Sequence, residues 1–320
     1  MSDRETFLVT GALGCLGAWT VHHLLCEGRR VVSFDRSDDR HRLDLLLTPD
    51  EQAHVTFVTG DLTAPAAVSE VFHTHRITHV IHLAALQVPF CRANPVLGAQ
   101  VNVVGTINVF EAARAAGVAH VAYASSVAVY GPPDAYPPGP VRNDAPPAPR
   151  TNYGVYKVAN EQQARVYWHD HRISSLALRP YTVYGVGRDQ GLTSDPTKAM
   201  LAAAAGKPFA IGFGGTMQFQ WASDVARQFI ACARHPLDGA YAFNLSTTST
   251  SVAHLIDVIR EIVPGSSVTC EDTQLPFPTA FDGQALHTSG VPVYETPLRD
   301  GVRRTIEHFR TCLADGRLAL

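Results

Sequence analysis

The strongest constraint on this chain is the regular exchange, through its first half, of short Val- and Ile-rich runs with longer segments of helical spacing. Runs at 7–10, 30–35, 55–59, 79–83, 120–124 and 176–179 read as strands. Helical patterns fall between them at 16–27, 66–74, 96–116 and 153–169, with Gly28 and Gly117 placed where a left-handed residue ends a helix. Such units pair their strands in parallel, and strands apolar on both faces need helices on both faces. The pattern breaks between Gly131 and Arg150, where eight prolines deny helix and ladder hydrogen bonds alike and predict a long surface loop. Past Arg179 the alternation is lost: helices are expected at 196–205, 223–233, 251–263 and 298–309, with a strand at 209–211 and a glycine-rich turn at Gly212, Gly214 and Gly215. The expected fold is α/β, a doubly wound parallel sheet with a smaller α/β C-terminal region. Residues 1–179 form the first unit, with 223–250 returning to it; 180–222 and 251–320 form the smaller, substrate-binding one.

Composition bounds the partners. A chain of 320 residues with 46% hydrophobic and 17% charged residues buries a sizeable core, and a net charge of −3 gives no electrostatic footprint for nucleic acid or an anionic membrane. Six cysteines, Cys15, Cys26, Cys91, Cys232, Cys270 and Cys312, are scattered without a C-x-x-C pair and read as reduced thiols of a cytoplasmic protein. No apolar run is expected to reach the roughly 20 residues of a membrane span, and the start at Met1-Ser2-Asp3-Arg4-Glu5 shows no signal-peptide core.

Chemistry concentrates at three places. The first strand runs into Gly11-Ala12-Leu13-Gly14-Cys15-Leu16-Gly17 and then a helix, so glycines allow a tight turn and let a pyrophosphate approach the helix N-terminus. The spacing is G-x-x-G-x-x-G rather than G-x-G-x-x-G. Asp35 ends the second strand, where a carboxylate takes ribose hydroxyls and repels a 2′-phosphate; Arg36 beside it weakens that preference for NAD over NADP. Asp61 and Leu62 follow the third strand, placed to contact adenine, although Asp61 reads equally as a helix cap.

In Tyr153-Gly154-Val155-Tyr156-Lys157, positions i and i+4 share a helix face, so phenol and ammonium enter one cleft. The nearby cation is expected to lower the phenol's pKa toward that of a general base. Lys157, Lys198 and Lys207 are the only lysines in a chain that otherwise uses arginine, which singles out Lys157 as a compact, shiftable ammonium. At the end of the fifth strand, Ser125 and Ser126 present hydroxyls where open α/β sheets bind ligands. The histidines do not suggest a metal: His79 and His82, three apart on a strand, point to opposite faces.

The ordered set of Gly11 to Gly17, Asp35, Asp61-Leu62, His82-Leu83-Ala84-Ala85, Asn102, Ser125-Ser126, Tyr153 with Lys157, and Arg179-Pro180 resembles the extended short-chain dehydrogenase/reductase superfamily, NAD-dependent epimerase/dehydratase type, over essentially the whole chain. The resemblance implies a Rossmann domain holding NAD through Gly11, Gly14, Cys15, Leu16, Gly17, Asp35, Arg36, Asp61, Leu62, Leu83, Ala84, Ala85 and Pro180, with Asn102 supporting the site. It implies Tyr153 as acid/base, Lys157 binding the nicotinamide ribose and tuning Tyr153, and Ser126 polarising the substrate oxygen. Gln87, Ser125, Thr182, Arg188 and Gln218 are the further substrate candidates, and the helices at 96–116 and 153–169 resemble those that pair in the family's homodimer.

Within the superfamily the pattern is most similar to UDP-sugar 4-epimerases, notably in Leu178 to Gly185 with Thr182. Two arginines that hold the nucleotide diphosphate in those enzymes have no counterpart: Met217, followed by Gln218, stands at one, and 275–282 offers none at the other. Methionine cannot make the bidentate phosphate contact. UDP should therefore bind weakly, with Met217→Arg improving it. The expected activity is an NAD-dependent oxidoreductase acting on a carbinol carbon of a small polyhydroxylated substrate, a sugar or sugar acid. A nucleotide-sugar epimerase with transient oxidation by bound NAD is the alternative, and an inactive NAD-binding regulatory protein the third.

Overall fold

A computed structural model describes residues 5–319; residues 1–4, on which the signal-peptide reading mostly falls, and residue 320 lie outside the described residues. Seven strands form one parallel sheet in the order β10-β6-β5-β4-β1-β2-β3. They are β1 (Thr6–Thr10), β2 (Arg30–Asp35), β3 (Val55–Thr59), β4 (His79–His82), β5 (His120–Ala124), β6 (Ser174–Arg179) and β10 (Ala240–Asn244). β1 and β6 are buried along their whole length, as central strands covered on both sides must be. One apolar layer lies between the sheet and the helices Cys15–Cys26 and Ala222–Arg234; the other, built on Phe72, Phe110, Tyr123 and Tyr167, fills the opposite face. The chain reverses strand order between β1 and β4, so the carboxyl ends of those strands open the crevice in which such sheets bind ligands.

The remaining strands, β7 (Thr182–Tyr184), β8 (Phe209–Ile211), β9 (Thr216–Trp221), β11 (Ser249–Ser251) and β12 (Val268–Cys270), make a three-stranded sheet, β11-β9-β7, and a two-stranded one, β12-β8. Of these, the apolar runs had signalled only β8. The others are three to six residues long and lack a clean period of two; in β9, four consecutive residues are buried because the strand is covered on both faces. The proline-rich segment is largely exposed, but Val141 is buried and bridges to Phe281, which ties the loop to the C-terminal region.

The helix anticipated at 96–116 runs over Pro95–Ala115 and contains a wider π-type turn at Gln100–Val104. Contrary to the expectation of no such run, this helix is long and apolar enough to cross a membrane by length and composition. Val109, Phe110 and Ala113 face the core, whereas Val96 and Val104 are exposed. It is an apolar core helix with one uncovered side.

Candidate active site

A cavity of about 450 Å³ opens over the carboxyl ends of the parallel strands. Its cofactor end is built from backbone. Gly11 has φ +67°, and a Cβ there would meet the Ala84 backbone at 2.7 Å; a Cβ on Gly17 would collide with the Gly11 carbonyl oxygen. Gly14 caps the helix Cys15–Cys26 without a side-chain bond, and its missing Cβ finds only the Gly11 oxygen, at 3.2 Å. The space over Gly14 and the first-turn amides is thus left for a charged group such as a pyrophosphate. Asp35 takes the Leu13 and Ser37 amides at 3.1 and 3.2 Å, which fixes its carboxylate at the rim beside Arg36. Asp61, Leu62, Leu83, Ala84, Ala85, Cys15, Leu16 and Pro180 line the same cavity. Asp61 makes a local turn, accepting from the Thr63 amide and hydroxyl at 2.8 Å, rather than a helix cap. The cradle fits a dinucleotide.

Asn102 corrects the sequence reading. It is 1% exposed and clamps Leu86 from both sides, accepting its N–H at 2.7 Å and donating to its carbonyl at 2.9 Å. It shapes the wall segment after β4 and does not line the cavity.

The reacting end joins two elements. Thr151 caps the helix Asn152–His171 by accepting the Gly154 amide, and this sets Tyr153 in the first turn, facing the end of β5. Lys157 is 3% exposed, donates to the Ala124 carbonyl at 2.6 Å and stands 5.5 Å from the centre of the Tyr153 ring. Ser126 accepts the Ala128 amide at 3.1 Å, which leaves its own O–H to point toward the Tyr153 phenol in the cavity. Burial dominates the electrostatics. It pushes the Tyr153 phenol up to about 12 against the opposing pull of Ser126 and Arg188, and the Lys157 ammonium down to about 8. The expected lowering of the tyrosine by its lysine is not seen: burial dominates, and the groups that pull the phenol down are Ser126 and Arg188. His82, pushed down to about 3 by burial and Lys157, is neutral and bridges Thr10 and Thr106.

Behind β5 lies a network the sequence reading missed. Glu161 pairs with Arg179 at 2.6 Å, both side chains being almost fully buried, and accepts the Ser125 hydroxyl at 2.5 Å; Arg179 also reaches Tyr130 and the Asn143 carbonyl. Ser125 lines the cavity as well, with its hydroxyl donated to Glu161, and so ties the strand end that presents Ser126 to this network. Two further substrate candidates move into the core. Thr182 is 0% exposed with its hydroxyl on the Met217 sulfur at 3.3 Å; Gln218 donates to the Thr247 and Phe281 carbonyls and accepts the Phe281 amide. Gln87 and Arg188 do line the cavity, joined by Tyr181, Leu192 and Phe277, which no local signal marked. Among the described residues no group of three or more His, Cys, Asp or Glu gathers at metal-binding distance.

A glycine cradle at the first strand, a carboxylate ending the second and a Ser–Tyr–Lys set at the fifth define the class: a Rossmann oxidoreductase of the extended short-chain type. The model of the NAD dependent epimerase/dehydratase family matches residues 7–246. A UDP-glucose 4-epimerase of Mycolicibacterium smegmatis is 30% identical over 95% of this chain and 98% of its own length. The chain belongs to the NAD-dependent epimerase/dehydratase family; it is an enzyme, and its cofactor is NAD. Among solved structures, the Thermus thermophilus UDP-glucose 4-epimerase in complex with NAD matches with TM-score 0.79 and 25% identity over 95% of this chain and 99% of that one. A GalE-like L-threonine dehydrogenase of Cupriavidus necator matches with TM-score 0.80 and 22% identity over 96% and 99%, a likeness of fold.

Proposed function

We propose that this enzyme is an NAD-dependent dehydrogenase that oxidises a hydroxyl-bearing carbon of a small sugar acid or related polyhydroxylated carboxylate. Arg188 carries the reading. It lines the cavity beside Gln87, close enough to Tyr153 for its charge to act on the phenol, and its Nε is buried without a partner. A guanidinium so placed suits a carboxylate. Met217 is core, so the position where a diphosphate-binding arginine was sought is closed to solvent. Tyr153, Ser126, Arg188 and Phe277 line the same cavity as the cofactor cradle.

In this reading Ser126 donates to the substrate oxygen and orients it. Tyr153 accepts the hydroxyl proton as its phenolate, the form that Ser126 and Arg188 favour against burial, while Lys157 holds positive charge beneath it and Arg188 fixes the far end. NAD, when bound, supplies the hydride acceptor. A nucleotide-sugar epimerase that returns the hydride is the second reading, supported by the M. smegmatis relative. Incubation with NAD and a panel of sugars, sugar acids and UDP-sugars separates them: accumulating NADH with a sugar acid is expected, whereas isomerised UDP-sugar without NADH overturns the dehydrogenase.

The same proposal includes a homodimer. Val155 and Val166 lie on one face of their helix at 49% and 56% exposure, beside exposed Val96 and Val104, and such an apolar strip suits a partner helix pair. It also includes a cytoplasmic location, which the six free thiols suit.

A further inference from the structure

The loop at 185–193, which brings Arg188, Leu192 and Thr193 to the cavity, is fastened to the cofactor half by contacts that hydride transfer does not require. Its Val186 carbonyl accepts the Trp19 indole N–H at 3.0 Å. One guanidinium then joins three segments: Arg42 donates from Nη1 to the Leu13 carbonyl of the glycine turn at 3.2 Å, from Nε to the Gly187 carbonyl at 3.2 Å, and from Nη2 to Asp189 Oδ1 at 2.7 Å. The arginine stem lies along Gly187, whose absent Cβ would stand 3.6 Å from Arg42 Cβ. The second oxygen of Asp189 meets His41 Nε2 at 3.0 Å, and the other ring nitrogen of His41 meets Asp39 at 2.8 Å.

Position gives this bridge its meaning. Asp35 and Asp61 mark one end of the cofactor path and Tyr153 with Lys157 the other, and the glycine turn lies between them. Any group reaching from end to end passes that turn, where Arg42 crosses to the opposite wall. Arg42 is only 15% exposed while Asp189 is 44% exposed, so the pair is anchored on one side and can part on the other. A lone exposed ion pair contributes little, but here Nε and Nη2 of Arg42 converge on Asp189 Oδ1, and a histidine on Oδ2 and two backbone carbonyls on the guanidinium hold that geometry. The partners come from segments 147 residues apart, so breaking the contact loosens the Asp189 end of the loop from the cofactor half while the Trp19 contact still holds Val186.

We propose that Arg42, Asp189 and His41 form a clasp that closes the 185–193 loop over the cofactor path, so that its opening gates NAD exchange and its closed form positions Arg188 for the substrate. The gating of NAD exchange needs only the family cofactor, whereas the positioning of Arg188 rests on the proposed function. Asp189 and His41 act here as positioning residues, since neither reaches the reacting atoms.

The test is the rate at which NADH leaves the intact protein, followed by fluorescence on displacement with excess NAD, in the wild type, Asp189→Asn, Asp189→Glu and His41→Gln. Asp189→Asn should release NADH about five- to tenfold faster, in line with loss of a braced ionic contact, with Tm changed by no more than about two degrees. Asp189→Glu should recover most of the wild-type rate, and His41→Gln should show about a twofold effect. Release from Asp189→Asn within twofold of wild type overturns the clasp. So does faster release that Glu fails to recover and that follows a falling Tm, since that pattern marks a merely structural residue.

Discussion

The two ends of the cavity are built from different materials. At the cofactor end one short stretch, Gly11 to Gly17, supplies the cradle, and what matters is the absence of side chains: Cβ atoms on Gly11 and Gly17 would strike backbone. At the substrate end, side chains from separate segments converge, with Gln87, Arg188, Leu192 and Phe277 drawn from three regions of the sequence. A backbone site tolerates almost no substitution at its glycines but accepts varied neighbours, whereas a side-chain site can be rebuilt one residue at a time. This difference lets one cofactor frame be kept while the side-chain end is rebuilt for another substrate.

The largest expected effect falls where the two ends meet. Tyr153→Phe removes only the ionisable hydroxyl, so kcat should fall by about a hundredfold or more while NAD binding by calorimetry stays near normal. Retention of more than about a tenth of wild-type kcat would remove Tyr153 from its role. Next comes Met217→Arg. Sequence comparison had suggested that this change would improve UDP binding; with Met217 at 0% exposure it should instead bury an unpaired charge and cost about 3 kcal/mol or more of stability, seen as a lower denaturation midpoint without tighter UDP binding. Micromolar affinity of the wild type for UDP would break the small-substrate side of the comparison.

Gly17→Ala tests the backbone end. Its Cβ would press on the Gly11 carbonyl, so NAD affinity should drop by at least about tenfold, while Gly14→Ala, whose Cβ meets the same carbonyl oxygen less closely, at 3.2 Å, should lower Tm less than Gly17→Ala. Arg188→Ala tests the side-chain end: loss of a charge-assisted contact of about 1.5 to 3 kcal/mol should raise KM for a sugar acid roughly ten- to a hundredfold and change kcat much less. A sugar acid bound with the same KM by both proteins would dissociate Arg188 from a carboxylate. The smallest effect is expected for Asp35→Ala, which should narrow the preference for NAD over NADP by several-fold in binding titrations. Equal affinities in the unmutated protein would assign control to Arg36.

What the sequence determined by itself was the part that depends on local rules. Strand–helix alternation, closing glycines and the i,i+4 spacing of Tyr153 and Lys157 act within a few residues of one another, so the parallel sheet, the cradle and the reacting pair were legible before any coordinates. Tertiary structure decided whatever depends on which face of a covered element looks where. β9 is buried on both sides, so nothing in Thr216–Trp221 could tell that Met217 and Gln218 point into the core rather than the cavity. Thr182 and Ser125 shared that ambiguity, and their hydroxyls turned out to be spent on Met217 and Glu161. Arg42 sat unremarked in the charged run after β2 and gained a role only when the fold set it opposite Asp189, 147 residues away. The tuning of Tyr153 was likewise a matter of burial against charge, and desolvation depends on the surrounding walls rather than on spacing along a helix.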